Sequence, residues 1–277
     1  MTQNMAVFEA LKIDQLSDRR RVHRWFLMLF VLASTVYLTE YDTQSIIDFN
    51  QRVTNFFTAQ TPFPLPPNAW VISLLKETGL LIVALFFMLL YALHWLTEPM
   101  QAKRDNRFSD EEDILRINPL IIDLPLFTLK QNVTPLQAAL RAFPSFLLIV
   151  TSTLIIYVVS RPLYGIPFYA IATMFSMSAF ILVFDQKDIP SSLESSAALT
   201  EGMKFAIFVS FFLLRSVINF GENILLLIIG SKTTSDGLIR AFFFALKTLS
   251  FGRMAAITYR LAYYKESPAF KDRMDEQ

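Results

Sequence analysis

The chain has 277 residues, of which 53% are hydrophobic and 27 are phenylalanine, and its mean hydropathy is +0.42. Soluble domains are about 45–50% apolar, so this composition is typical of a membrane protein. The net charge of +1 indicates neither a nucleic-acid partner nor an acidic one. Because cysteine is absent, disulfides and thiolate chemistry are excluded.

The first half of the chain predicts two membrane spans. The apolar run 25–38 follows four arginines and lacks a convincing cleavage site, which favours an uncleaved span over the competing interpretation, a signal peptide. A polar loop, 42–68, contains the stretch 46–57, which is patterned like a surface helix. The second run, 69–96, would be about 42 Å long as a helix, more than the roughly 30 Å of a hydrocarbon core. The long polar segment 97–142 follows it.

The second half predicts four more spans. Thr134 and Pro135 have the form of an N-cap followed by proline at the first helical position, so a helix is expected to begin there. A polar segment, 185–204, separates the fourth and fifth spans, and a tight polar loop, 231–237, separates the fifth and sixth. The predicted spans are 143–160, 164–184, 205–230 and about 238–258.

The distribution of basic residues predicts the orientation. Cytoplasmic loops of membrane proteins carry an excess of lysine and arginine. With the N-terminus inside, the outer segments hold only four such residues, which are Arg52, Arg161, Lys232 and Arg240. The predicted fold is therefore all-α, a polytopic membrane protein with six transmembrane helices and both termini cytoplasmic. Residues 1–133 are interpreted as an N-terminal two-span module, and residues 134–277 as a four-span domain with a cytoplasmic tail.

Motifs for catalysis and for cofactor or metal binding are missing from the sequence. It contains no P-loop, no H-E-x-x-H, no G-x-S-x-G and no Gly-rich dinucleotide fingerprint. The two histidines, His23 and His94, both fall near the predicted inner interface and could be neighbours. Two histidines without a third ligand make a weak metal site. We therefore expect no catalytic residue, no cofactor and no metal.

Ionisable residues inside the predicted spans are a better indication of function, because charge is costly in hydrocarbon. Glu222 and Lys247 fall at matching depths on the fifth and sixth spans and are expected to pair. One interpretation is a polar path for a solute or proton. The other is a buried ion pair that fixes helix register, with arginines whose side chains reach toward the interface. The expected intramembrane polar cluster comprises Glu77, Arg215, Asn219, Glu222, Lys247 and Arg253.

Two further patterns concern packing and the inner surface. Small residues in the last two spans are expected to permit close helix packing; they are Ser216, Gly221, Gly230, Ser250 and Gly252. Ser191 and Glu194 have the spacing of a capping box, which predicts a cytoplasmic helix over 191–204. Such a helix would serve either as a plain connector or as a docking surface for a partner or for lipid headgroups.

The segment 192–208, SLESSAALTEGMKFAIF, resembles a signature of the YciC-like bacterial inner-membrane proteins. Related patterns occur in the membrane domain of some glycerophosphodiester phosphodiesterases. The residues that carry the resemblance are Ser195 or its neighbour Ser196, together with Leu199, Gly202 and Lys204. It covers about residues 134–265, and the first two spans have no counterpart in it. The resemblance implies a protein of the bacterial cytoplasmic membrane without established catalytic residues, with a role in envelope maintenance.

These observations lead to two functional hypotheses, and the missing catalytic clusters disfavour a third, an intramembrane enzyme. The first is a non-enzymatic inner-membrane protein that acts as an accessory or subunit in envelope or membrane-protein homeostasis. The second is a small permease or transporter subunit that uses the polar face of the fifth and sixth spans. The expected partners are the lipid bilayer and either another membrane protein or a second copy of the chain, with no nucleic acid.

Overall fold

The computed structural model is helical throughout most of the part that it describes, and that part contains no strand. It describes residues 3–14, 16, 18–39, 43–59, 62, 64–97, 127–129, 133–160, 166–229 and 233–264. The helices within these ranges are α1 (Gln3–Leu11), α2 (Arg19–Tyr37), α3 (Thr43–Ala59), α4 (Asn68–Thr97), α5 (Pro135–Ser160), α6 (Ile166–Phe175), α7 (Ser178–Phe184), α8 (Ile189–Leu199), α9 (Lys204–Ile229) and α10 (Thr233–Tyr264).

Capping side chains explain where two of the long helices begin. At the start of α2, the Asp18 carboxylate accepts a hydrogen bond from the backbone N–H of Arg21 at 3.2 Å. At the start of α5, the backbone N–H of Gln137 donates to Thr134 Oγ1 at 3.3 Å, and the backbone N–H of Thr134 donates to Gln137 Oε1 at 3.1 Å. The predicted cap at Thr134 is thus confirmed as one half of a reciprocal capping box.

Helix α10 lies at the centre of the bundle. It packs against α1, α2, α4 and α9, and its buried side chains extend from Ile239 to Ala262. One hydrophobic core joins Leu29 of α2, Leu90 of α4 and Ala139 of α5 to α10. The segments 1–133 and 134–277 therefore share a core within the described residues.

Glycine allows α10 and α4 to approach closely. A Cβ added at Gly252 would lie 2.6 Å from the carbonyl oxygen of Met88. The predicted packing role is confirmed there and at Ser250, which is fully buried. It is wrong at Ser216, which is exposed on the outside of α9. A Cβ at Gly221 would meet the ring of Phe243 at 3.4 Å. Gly230 lies outside the described residues.

Three helical stretches of the described chain are long and apolar enough to cross a membrane: α4, Pro135–Tyr157 of α5, and α9. The most apolar part of α4 is 61% buried, whereas the corresponding parts of α5 and α9 are 17% and 11% buried. The second half of α4, from Leu80 onward, therefore lies mainly inside the bundle. In contrast, α5 and α9 present apolar surface outward, as lipid-facing helices do. The protein is an all-helical chain with the features of a membrane protein.

The structure corrects several predicted boundaries. The predicted fourth span, 164–184, is interrupted by a turn at Ser176 and Met177, which separates α6 from α7. Helix α10 begins at Thr233, so it takes up most of the predicted 231–237 loop. Helix α3 confirms the surface helix predicted over 46–57. A short N-terminal helix, α1, was not predicted.

The predicted capping box at Ser191 is wrong. Helix α8 begins at Ile189, with Asp188 at the N-cap position and Pro190 in the first turn. Proline fits there because the first helical N–H groups have no intrahelical acceptor. The helix ends at Leu199 rather than at residue 204, and a turn leads from it into α9.

Candidate functional site: polar side chains on the bundle

The buried face of α8 consists of small hydroxyl residues. Ser192 and Ser196 are fully buried. The hydroxyl of Ser196 donates to the carbonyl oxygen of Met174 at 2.6 Å and accepts from the backbone N–H of Met177 at 3.2 Å. Both partners lie at the break between α6 and α7, where backbone groups lose their helical partners. Ser196 therefore holds the interrupted helix in its observed geometry.

The residues that carry the YciC-like resemblance lie around the end of α8. Gly202 has a φ of 73°, a left-handed conformation that favours glycine, in the turn between α8 and α9. Leu199 packs against the main core. Ser195 lies near the surface and accepts a hydrogen bond from Lys187 Nζ at 2.9 Å. Lys204 is half-buried at the start of α9. Gly202 is thus required by the backbone. Ser195 makes only a surface contact, whereas Ser196, the other serine that fits the motif, is buried and hydrogen-bonded.

The predicted pair between the last two helices is present. Lys247 Nζ of α10 lies 3.5 Å from Glu222 Oε2 of α9, and the two side chains are 27% and 18% exposed. The depth estimate from the sequence therefore brought together the correct residues. A partly buried pair of this kind neutralises two charges that would each be costly alone in a low-dielectric surrounding.

Among the described residues, no basic side chain forms an ion pair with Glu77. It is exposed on α4 and accepts a hydrogen bond from the hydroxyl of Ser73 at 3.2 Å. Glu77 and Glu222 are both close enough to the phenol of Tyr37 to act on it electrostatically, as is Arg240. Charged groups of α4, α9 and α10 therefore act on Tyr37, the last residue of α2.

Arg253 has a partner that the sequence did not suggest. Its side chain is 3% exposed, and Arg253 Nη2 lies 3.4 Å from Glu9 Oε2 of α1. Arg253 Nη1 also donates to the carbonyl oxygen of Lys12. Helix α1 is held beside α9 and α10 by this contact and by burial of Val7 and Ala10. The charge at Arg253 is thus satisfied inside the bundle by the N-terminal segment.

Arg215, unlike Arg253, faces away from the bundle. It is exposed on the outer surface of α9, and within the described ranges no hydrogen bond or ion pair engages it. Asn219 and Asn223 follow at successive spacings of four, so the three side chains lie along one line of the helix. Asn219 is half-buried and Asn223 is exposed. We refer to Arg215, Asn219 and Asn223 as the α9 ridge.

Arg215 lies far from both ends of α9. Arg215 is 11 residues from Lys204 at the start of α9, which corresponds to about 16 Å along the axis. An arginine at the centre of a membrane-spanning helix costs about 2.5–3.5 kcal/mol on insertion scales. The prediction that Arg215 shares a polar face with Glu222 is confirmed only in part, because Glu222 turns toward Lys247 while Arg215 faces outward.

The two histidines are not neighbours. His94 is buried; its Nδ1 lies 3.0 Å from Arg21 Nη1, and its ring lies against Trp25. Arg21 and Trp25 occupy one face of α2, and His23 is exposed two residues away from each. Among the described residues, no group of three or more His, Asp or Glu side chains could hold a metal ion.

A shallow surface depression lies on α3, away from these polar groups. It is lined by Ile47, Asn50, Gln51, Thr54 and Asn55. None of these residues belongs to α9 or α10, so the depression gives no access to Arg215 or to the Glu222–Lys247 pair. Comparison of the chain with protein-family models, with curated proteins and with solved structures gives no match.

Proposed function

We propose that the chain is a six-span protein of the bacterial inner membrane with both ends in the cytoplasm. We further propose that it is not an enzyme and serves as an accessory or subunit in envelope or membrane-protein homeostasis. The observation that carries this proposal is the outward position of Arg215 on a peripheral apolar helix. A polar group that faces away from the bundle is suited to contact with another protein and not to an internal path.

Packing supports the count of six spans. Helix α10 lies against both α4 and α9, which are long and apolar enough to cross a membrane, and α2 lies against α4 and α10. A helix packed between spans lies at their depth in the bilayer. Helix α6 packs against α5 and α9, and α7 packs against α5. The interrupted segment α6–α7 would thus form the remaining span, with its break closed by Ser196.

The inner-membrane assignment is supported by the YciC-like resemblance and by the basic residues of the loops. The left-handed Gly202 gives a physical reason for glycine at that position of the motif. Single cysteines in this Cys-free chain can test the orientation. A cysteine at Gln51 should react with an impermeant maleimide in intact cells, and a cysteine at Glu111 should react only after lysis. Labelling of the Glu111 site in intact cells would contradict the proposed topology.

The functional part requires a different experiment. Deletion of the gene in the source bacterium should raise the permeability of the envelope to a large antibiotic, and a plasmid copy should restore the barrier. Extraction in mild detergent should yield a particle heavier than the chain with its bound detergent. A monomeric particle together with an unaltered barrier would refute the assembly role.

A permease remains the second candidate, because charged side chains of three helices, α4, α9 and α10, act on the phenol of Tyr37. The Glu222–Lys247 pair distinguishes the two candidates. A Glu222→Gln, Lys247→Met double variant that accumulates normally and restores the envelope barrier supports the assembly role. A double variant that accumulates normally but fails to restore the barrier supports solute movement through this pair.

A further inference from the structure

The α9 ridge combines three features. Arg215, Asn219 and Asn223 are polar, they lie in one line, and no described group hydrogen-bonds to their side chains. They occur on the candidate span that is least covered, with 11% of its apolar stretch buried. Polar side chains that face hydrocarbon without a partner are unfavourable.

The chain itself offers no described partner for Arg215. The closest acidic residue on its own helix is Glu222, about two turns away, and that carboxylate is already engaged by Lys247. Glu9 is engaged by the buried Arg253. Arg215 lies about 16 Å from the start of α9, farther than an arginine side chain can extend to a headgroup region.

We infer that the α9 ridge docks a transmembrane helix of another protein, and that this helix carries an aspartate or glutamate at the depth of Arg215. The inference rests on the proposed assembly role and names the chemistry of the partner. The guanidinium would form a charge-assisted hydrogen bond with that carboxylate. The two asparagines would donate to and accept from polar groups farther along the partner helix, the kind of contact that joins helices in membranes.

The geometry of α9 suits such a partner. Residues spaced by four form one of the ridges through which helices commonly pack, and the α9 ridge extends for about 12 Å. Phe212 and Phe220 lie in the neighbouring row of side chains on one side of it and are 57% and 68% exposed. On the other side of the ridge, Leu214 and Ile218 are buried in the bundle. The two aromatic rings and the bundle would exclude lipid from the polar contacts, so that the partner's carboxylate and Arg215 meet in a dry environment.

A second copy of the chain fits this surface less well. Symmetric pairing through the same face would bring the two Arg215 side chains together across the two-fold axis. Two guanidinium groups in a low-dielectric interface repel each other. The charge of the ridge therefore favours a different helix with an acidic residue.

Photo-crosslinking in native membranes tests the inference. A benzoylphenylalanine placed at Phe212 or Phe220 replaces one aromatic side chain by another beside the ridge. Leu148 of α5, which is 55% exposed on another outward face, provides the control position. We expect adducts with a second polypeptide from the two α9 positions and not from the α5 position. Mass spectrometry of the adduct should identify a transmembrane peptide that contains an aspartate or glutamate.

Charge substitutions then test the role of Arg215. Arg215→Gln should lower the adduct yield about tenfold, and Arg215→Lys should retain most of it, as expected for a polar interhelical contact. Arg215→Glu should abolish the adduct, and replacement of the partner's carboxylate by lysine should restore it. The amount of each variant in the membrane is measured in parallel, so that loss of adduct is separated from loss of protein.

Four results would overturn the inference: adducts with lipid alone, adducts with a second copy, a partner peptide without an acidic residue, or an unchanged yield with Arg215→Gln. If lipid adducts alone form while the extracted particle stays heavier than the chain and deletion still weakens the envelope, only the ridge inference fails. If the particle is monomeric and the barrier is unaltered, the proposed function fails with it.

Discussion

Replacement of Gly252 by alanine tests the central contact of the bundle. The added Cβ would lie 2.6 Å from the carbonyl oxygen of Met88 and 3.3 Å from both its Cα and its carbonyl carbon. These are backbone atoms, which cannot rotate aside. Because the oxygen must reach at least 3.0–3.4 Å, α10 and α4 must separate locally by about 0.4–0.8 Å. Such overpacking costs about 1–3 kcal/mol, and the backbone contact puts Gly252→Ala near the upper value.

Helix propensity acts in the opposite direction and sets the control. Alanine is favoured over glycine inside a helix by about 1 kcal/mol, so the net loss at Gly252 should be about 2 kcal/mol. Gly79 lies in α4 with nothing within 4 Å of an added Cβ. Gly79→Ala should therefore be neutral or stabilising, by up to about 1 kcal/mol. Unfolding of both variants in detergent, followed by tryptophan fluorescence, measures the difference. If Gly252→Ala matches or exceeds the wild-type stability, α10 and α4 do not approach at this point.

Other substitutions test the remaining polar contacts. Ser196→Ala should lower the free energy of unfolding by about 1–3 kcal/mol, because it removes a hydrogen-bonded hydroxyl. Ser250→Ala should leave that free energy unchanged or raise it, because the Ser250 hydroxyl is equally buried but has no hydrogen-bond partner in the described chain. Equal losses in unfolding experiments would contradict this contrast. Glu222→Gln and Lys247→Met should each reduce stability. A double-mutant cycle should give a coupling free energy of about 1 kcal/mol or more between the two side chains. Additive effects would show that the two side chains do not interact. Glu9→Gln should speed hydrogen exchange in α1 by weakening its contact with a buried arginine, and unchanged exchange there would show that this contact does not hold the helix.

The sequence predicted those features of the fold that are determined by residues close together in the chain. The bounds predicted for the second and fifth spans differ from those of α4 and α9 by one residue at each end, because long apolar runs between polar segments specify such helices directly. The cap at Thr134 depends only on side chains within one turn. The Glu222–Lys247 pair could be predicted because a short connection fixes the relative depth of two neighbouring helices.

Features that depend on distant parts of the chain could not be predicted in this way. The break between α6 and α7 lies within an uncharged run whose polar residues near the break are Thr173, Ser176 and Ser178. It is stabilised by Ser196, which is about 20 residues farther along. Helix α1 is short, and its position depends on contacts with α9 and α10. Consequently the partner of Arg253, Glu9, could not be identified from spacing within the spans.

Burial explains why the central helix, α10, can carry more charge than α5 and α9. A helix that faces lipid must be apolar, as α5 and α9 are on their outward surfaces. A helix enclosed by other helices can carry charge, provided that its partners lie inside, and α10 does so with Lys247 paired to Glu222 and Arg253 paired to Glu9. Arg215 departs from this arrangement, since it is charged and faces outward. For this reason we expect a partner helix at the α9 ridge and not at the more highly charged α10.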